Sequence, residues 1–214
     1  METAKMIDLA VYNVDGQEVD RLKIDEATLG GSVRHALLKQ AIIMYHANRR
    51  VGTATTKSRS RVAGSSRKLF RQKGTGNARV GNIRTGKRRG GGMIFAKSPR
   101  EFRQRMPKKQ KRLARNSAIL AKLIGENVVV VDGLRFDKPK TKEFMNVLAN
   151  LNIDRSCLVT MDSVDENTLK SARNIPKVAI MPVSELNAFE ICSHRKLLFT
   201  KDAFLSVLGQ NEAS

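Results

Sequence analysis

One internal stretch carries the whole of the chain's excess charge. Between Arg49 and Arg115 stand 15 Arg and 8 Lys against a single acid, Glu101, a local balance of +22. The full 214 residues hold 40 Lys+Arg and 20 Asp+Glu, so everything outside that stretch comes to −2. The same stretch holds 9 of the 15 glycines. Its larger apolar residues (Val51, Val62, Leu69, Phe70, Val80, Ile83, Met93, Ile94, Phe95 and Phe102) are too sparse and irregular for a core. Neither helical nor strand periodicity organises Thr53 to Gly92. Self-repulsion is large there and apolar burial too small to offset chain entropy. The expectation is a segment disordered by itself that takes its shape from a partner. Most blocks of like charge are solvated tails. This one is internal, prefers Arg to Lys, and interleaves Gly with lone apolar residues, which sets it apart.

The flanks read as folded protein. Met6 to Tyr12 and Glu18 to Ile24 form two strands joined around Asp15-Gly16, a hairpin signal. Gly30-Gly31-Ser32 breaks the chain and offers an N-cap to a helix bearing Val33, Ala36, Leu37, Ala41, Met44 and Tyr45. Near Ala47 to Val51 the helix yields to the cationic stretch. After Pro107, Lys108 to Ile124 has helical composition, with Leu113, Leu120 and Ile124 on one side and Gly125 as its stop. Strands follow at Val128 to Val131, Cys157 to Met161, Val178 to Met181 and Lys196 to Thr200. Between and after them come helices from about Thr141, near Asp165 to Arg173, around Asn187 to His194, and at Asp202 to Leu208. Phe144, Val147, Leu148 and Leu151 make an i, i+3, i+4, i+7 stripe on the first of these. Short continuous apolar strands between amphipathic helices predict an α/β fold: three layers, a mainly parallel sheet with helices on both faces. The body is expected at residues 1–48 plus 108–214, interrupted by an extended basic loop over 49–107.

Signals for chemistry are weak. Gly81-Asn82-Ile83-Arg84-Thr85-Gly86-Lys87 has most of a phosphate-loop spacing. Arg88 follows, however, where a Ser or Thr hydroxyl should hold magnesium, and no strand–helix frame surrounds it. Gly74-Thr75-Gly76 meets Arg79 where a dinucleotide fingerprint needs its third Gly. His35, His46 and His194 lack metal-ligand spacing. Cys157 and Cys192 read as core residues in a reducing compartment. No apolar run reaches a membrane span's length of ~18 residues, and Met1 to Asn13, with Glu2 and Asp8, lacks a leader pattern. The expectation is a cytoplasmic protein that is not an enzyme, with no cofactor, metal, membrane or small-molecule substrate.

A local +22 calls for a polyanion. Arg suits phosphate better than Lys because its planar fork clasps bidentately and stacks on bases. Gly lets backbone amides approach phosphates and lets the chain turn sharply. Phe70, Phe95 and Phe102 are each as compatible with stacking on unpaired bases as with local packing. Leaving and returning as a hairpin, the roughly fifty residues from Arg49 to Ser98 reach at most about 80–90 Å. A large folded RNA needs such a probe. The runner-up reading is an RNA-modifying enzyme with an α/β catalytic domain and a basic RNA-gripping arm, though no cofactor loop stands at a strand end, and a third is a DNA-compacting protein.

Arg67-Lys68-Leu69-Phe70-Arg71-Gln72-Lys73-Gly74-Thr75-Gly76-Asn77-Ala78-Arg79 resembles the signature of the bacterial-type large-subunit ribosomal protein four family. Gly52 to Arg59, Gly81 to Arg84, Arg89 to Phe95, Lys108-Lys109 with Arg112-Leu113-Ala114, Pro139 to Lys142 and Ala172 to Pro176 are similar to further blocks of it. Leu69-Phe70 stands where the family commonly has Pro-Trp, Asn77 where it has Arg, and Thr85-Gly86-Lys87 where it often has Ser-Pro. The resemblance implies a globular α/β domain on the outside of the large ribosomal subunit and a loop threaded through its rRNA. It further implies that Arg71, Gln72, Lys73, Gly74 and Thr75 lie at or near a tip that helps form the nascent-peptide exit tunnel. Contacts to rRNA along the loop are implied for Arg59, Arg61, Arg67, Lys68, Arg79, Arg84, Arg88, Arg89 and Arg100. Arg49, Arg50, Lys57, Lys87 and Lys97, with Arg71 and Lys73, complete the cations expected to meet RNA. The implied partners are large-subunit rRNA, neighbouring large-subunit proteins and the nascent peptide.

Overall fold

The computed structural model describes residues 6–212, and side chains over 6–209. Glu2, part of the leader reading, lies outside the described residues. The chain divides into two compact units, one running up to His46 and again from Arg105, the other Ala47–Gln104.

The first unit is built on a six-stranded sheet. β1 (Met6–Tyr12) and β2 (Glu18–Asp25) form an antiparallel hairpin. Its turn is held by Asn13, whose Oδ1 accepts from the amides of Asp15 (3.0 Å) and Gln17 (2.9 Å). Gly16 in that turn has φ +82°, and a Cβ there would stand 2.6 Å from the Asn150 carbonyl oxygen. β3 (Val128–Val131), β4 (Cys157–Met161), β5 (Val178–Pro182) and β6 (Lys196–Thr200) complete the sheet in the order β2-β1-β3-β6-β4-β5, every pair after the hairpin being parallel.

Among the described residues six α-helices accompany the strands: α1 (His35–Asn48), α2 (Lys108–Ile124), α3 (Thr141–Asn150), α4 (Glu166–Ala172), α5 (Ala188–Ser193) and α6 (Lys201–Glu212). Side chains alternate across a strand, and the core records it. Val128, Val130, Leu158, Leu197 and Phe199 face a cluster containing Leu38 of α1, Leu120 of α2, Ile191 of α5 and Phe204 of α6. Val131, Cys157, Val159, Met161 and Leu198 face the other cluster, with Phe144, Val147 and Leu148 of α3 and Ala172 of α4. Travel from β3 through β4 to β5 runs one way along the sheet, and the step from β5 to β6 runs back. Crossovers of constant hand then require α3 and α4 on one face and α5 on the other. The three-layer α/β expectation holds.

Several details differ from the sequence reading. α1 starts at His35, and its first bond runs from the Leu38 amide to the Arg34 carbonyl (3.0 Å), so Ser32 does not cap it. Between β2 and α1 lies a 3₁₀ turn, Glu26–Leu29, capped by the Asp25 carboxylate on the Ala27 amide (2.9 Å) and closed by Gly30 at φ +96°. The buried face of α2 is formed by Ala114, Ser117, Ala118, Leu120 and Leu123; Leu113 is half-buried and Ile124 exposed. Cys157 is buried and its thiol is pushed up to about 12 by desolvation, but Cys192 is exposed. α6 begins one residue earlier than the spacing predicts and runs on to Glu212.

Candidate nucleic-acid interface

The second unit, Ala47–Gln104, has no regular element past the end of α1. It is nonetheless shaped, by hydrogen bonds between its outgoing and returning limbs. Asn48 opens the series: its Oδ1 accepts from the Gln104 amide (2.8 Å), and its Nδ2 donates to the Gln104 carbonyl (3.2 Å). Beyond it the Arg100 amide donates to the Gly52 carbonyl (3.2 Å), and the Thr56 amide to the Lys97 carbonyl (3.0 Å). The Met93 amide donates to the Lys57 carbonyl (2.9 Å), within an isolated parallel bridge between Ser58 and Met93. Farther out, the Arg84 guanidinium donates to the Gly64 carbonyl, and the Leu69 amide to the Gly81 carbonyl (3.1 Å). The unit is thus a cross-braced arm whose far turn runs from Leu69 to Gly81.

Glycine makes this bracing possible at two places above all. At Gly52 (φ +73°) a Cβ would sit 2.0 Å from the Arg100 carbonyl oxygen. At Gly92, a buried residue, it would sit 2.3 Å from the Arg59 amide nitrogen. No side chain fits either position without moving the opposite limb.

The far turn carries its own bonds. The Lys68 ammonium donates to Gln72 Oε1 (2.7 Å), and the Arg71 guanidinium to the Gly74 carbonyl (3.0 Å). Arg71, Gln72, Lys73 and Gly74, all expected at a tip, are exposed, and Thr75, expected there too, is half-buried; the five lie between Leu69 and Gly81. A concavity of about 570 Å³ is lined by residues Gln72 through Arg79 and nothing else.

Along the arm the side chains of Arg49, Arg50, Lys57, Arg59, Arg61, Arg67, Lys68, Arg79, Lys87, Arg88, Arg89, Lys97 and Arg100 are exposed. Arg84 is the exception. It is half-buried, and its Nε is buried with no hydrogen-bond partner among the described residues. Glu101 is the arm's one carboxylate, so its cations cannot be neutralised from within. The charge run itself marks further exposed cations: Arg103, in the arm, and Arg105, Lys108, Lys109 and Arg112, in the body.

The three phenylalanines part company here. Phe70 is half-buried. Phe102 is also half-buried, and it holds two guanidinium groups, Arg50 Cζ at 4.0 Å and Arg100 Cζ at 4.3 Å from its ring centre. The ring fixes two cations that sequence spacing places fifty positions apart. Phe95 is 93% exposed.

The body offers different chemistry. A cavity of about 670 Å³ opens where β1 and β3 diverge and is lined by Leu9, Tyr12, Leu123, Val128 and Asn150, among others. At the carboxyl ends of β3, β4 and β6, where doubly wound sheets hold their ligands, the cavity is about 70 Å³ and is bordered by Asp132, Asp162, Lys201 and Asp202. The phosphate-loop-like run Gly81 to Lys87 has neither strand before it nor helix after it. Among the described residues no three His, Cys, Asp or Glu converge as metal ligands, and no helix is long and apolar enough to cross a membrane.

An α/β body is thus interrupted by a braced, glycine-jointed cationic arm. The family model described as "Ribosomal protein L4/L1 family" matches residues 22–209, and the chain belongs to that family. It is similar to the large ribosomal subunit protein uL4 of Moorella thermoacetica, 42% identical over 199 residues that cover 93% of this chain and 96% of the relative. The proteins of the same name from Desulforudis audaxviator (43%, covering 92% and 96%) and Agathobacter rectalis (40%, covering 94% and 98%) are similar to it as well.

Proposed function

We propose that this chain is a structural constituent of the large ribosomal subunit, acting in the cytoplasm by binding and not by catalysis. Its body, residues 1–48 with 108–214, anchors it, and the arm over 49–107 penetrates large-subunit rRNA. The observation that carries this is the arm's run of exposed cations, with one carboxylate among them and no apolar core. Phosphate contacts release counterions and strengthen with each cation engaged. The relatives' names support the assignment to the large subunit.

The braces in the free arm are solvent-exposed and few, so opening them costs little; surrounding phosphates then hold the limbs together against their mutual repulsion. Arg84 Nε gains an acceptor in that setting. The turn holding Arg71 to Thr75 reaches the exit tunnel and meets the nascent peptide. Assembly of the subunit follows from rRNA segments gathered around the arm, beside neighbouring large-subunit proteins. Sedimentation tests this: the protein is expected to stay with large subunits through a high-salt wash, and its quantitative release into the soluble fraction would refute the reading.

A further inference from the structure

Phe95 sits on a structural bulge of unusual build. Two consecutive residues of the outgoing limb, Thr56 and Lys57, are bonded to Lys97 and Met93 of the returning limb. A third bond, from the Lys97 amide to Thr56 Oγ1 (2.7 Å), doubles one brace. Ile94, Phe95 and Ala96 therefore have no counterpart opposite and are looped out between fixed points, with a turn at Ile94–Phe95. Phe95 is 93% exposed on that loop, the highest value among the exposed large hydrophobic side chains. No ring or guanidinium of the described residues is recorded on it, in contrast to Phe102. Bare aromatic surface held out between such cross-limb hydrogen bonds is a costly feature unless something covers it.

We infer that Phe95 is a stacking platform for an unpaired RNA nucleobase. The inference rests on the RNA-binding reading above and deepens it. The occupant follows from the surroundings: Lys57, Arg59 and Lys97 flank the loop and are exposed, so what approaches is a polyanion. A nucleobase is the planar, apolar-faced group that arrives joined to phosphates. A base inside a helix has both faces taken by its neighbours, which leaves bulged, looped or terminal nucleotides as ligands. The cations supply affinity without regard to base pairing, and Phe95 selects for places where a base stands free.

The full-length chain is titrated by fluorescence anisotropy against a large-subunit rRNA transcript and against a fully paired RNA duplex. Wild type is compared with Phe95→Ala, Phe95→Leu and Phe95→Trp. Stacking on a base predicts that Phe95→Ala and Phe95→Leu both bind the transcript about 5- to 150-fold more weakly. Phe95→Trp binds at least as well as wild type, the salt dependence is the same for all four, and all four bind the duplex equally. The chain has no Trp, so Phe95→Trp places a lone indole at the site, whose fluorescence should be quenched by the transcript and not by the duplex. Equal binding by Phe95→Leu and wild type overturns the platform while leaving RNA binding intact. Failure of wild type to bind either RNA overturns both the platform and the reading beneath it.

Discussion

At the scale of single residues, the arm's form depends on positions where a methyl group is one too many. Gly52 combines φ +73° with a Cβ site 2.0 Å from the Arg100 carbonyl oxygen. Gly52→Ala is therefore expected to break the brace between Gly52 and Arg100, with strain of about 1–3 kcal/mol released by parting the limbs. Affinity for large-subunit rRNA should fall several-fold, and the body's melting temperature should stay where it is; a circular-dichroism melt beside a binding titration checks both. Phe102 acts differently. Phe102→Leu keeps an apolar side chain but loses two cation–π contacts worth about 0.5–1 kcal/mol each at exposed sites. It should weaken RNA binding about two- to tenfold, through Arg50 and Arg100 losing their fixed positions, which a titration at constant salt measures. Phe70, Phe95 and Phe102 look alike in the sequence, because what separates them is which limb lies opposite, and no local pattern encodes that. The individual cations were legible from charge alone. Their bracing was not, since it joins residues from 12 to 56 positions apart, mostly through backbone atoms that every residue possesses.

At the scale of elements, most of the body was readable because β3, β4 and β6 are short runs of apolar residues and α3 carries a regular stripe. The buried face of α2 was misjudged for a physical reason. Ala114, Ser117 and Ala118 let the helix lie close against its neighbours, whereas large Ile124 sits in the last turn facing outward. α2 also opens with Lys108, Lys109 and Lys111, against the positive end of its own dipole, with no acid in its first turn. Cations there cost about 0.3–1 kcal/mol each. Lys109→Glu should accordingly raise the melting temperature while weakening rRNA binding, and a loss of stability would contradict this account of α2. A separate tie joins β2 to α6, where the Lys201 ammonium donates to Asp20 Oδ2 (2.9 Å). That hydrogen bond, with one from the Arg21 amide, holds the Asp20 carboxyl below its usual range. A depressed carboxylate contributes stability that is present above its unfolded pKa and lost as pH falls through its lower folded one. Acid titration of wild type should show this loss below about pH 4, and Asp20→Asn should flatten it.

At the scale of the whole molecule, two compositions divide the labour: a near-neutral chain with enough apolar residue to fold, and a cationic insert without it. Deleting Thr53 to Gly92 is expected to leave a body that still melts cooperatively, since both hydrophobic clusters lie wholly outside the deleted span. Hydrogen exchange on the free protein should be fast across that span and slow markedly on rRNA, because the braces alone protect little. The most direct test is the salt dependence of binding to a large-subunit rRNA transcript, measured for the full chain and for the chain lacking Thr53 to Gly92. If on the order of ten arm cations meet phosphate, log K should fall against log salt with a slope near −7 or steeper for the full chain. The slope should collapse to a small fraction of that without the arm. A shallow slope for the full chain, or equal slopes for the two, would contradict the claim that phosphate contact along the arm is what this protein is built to make.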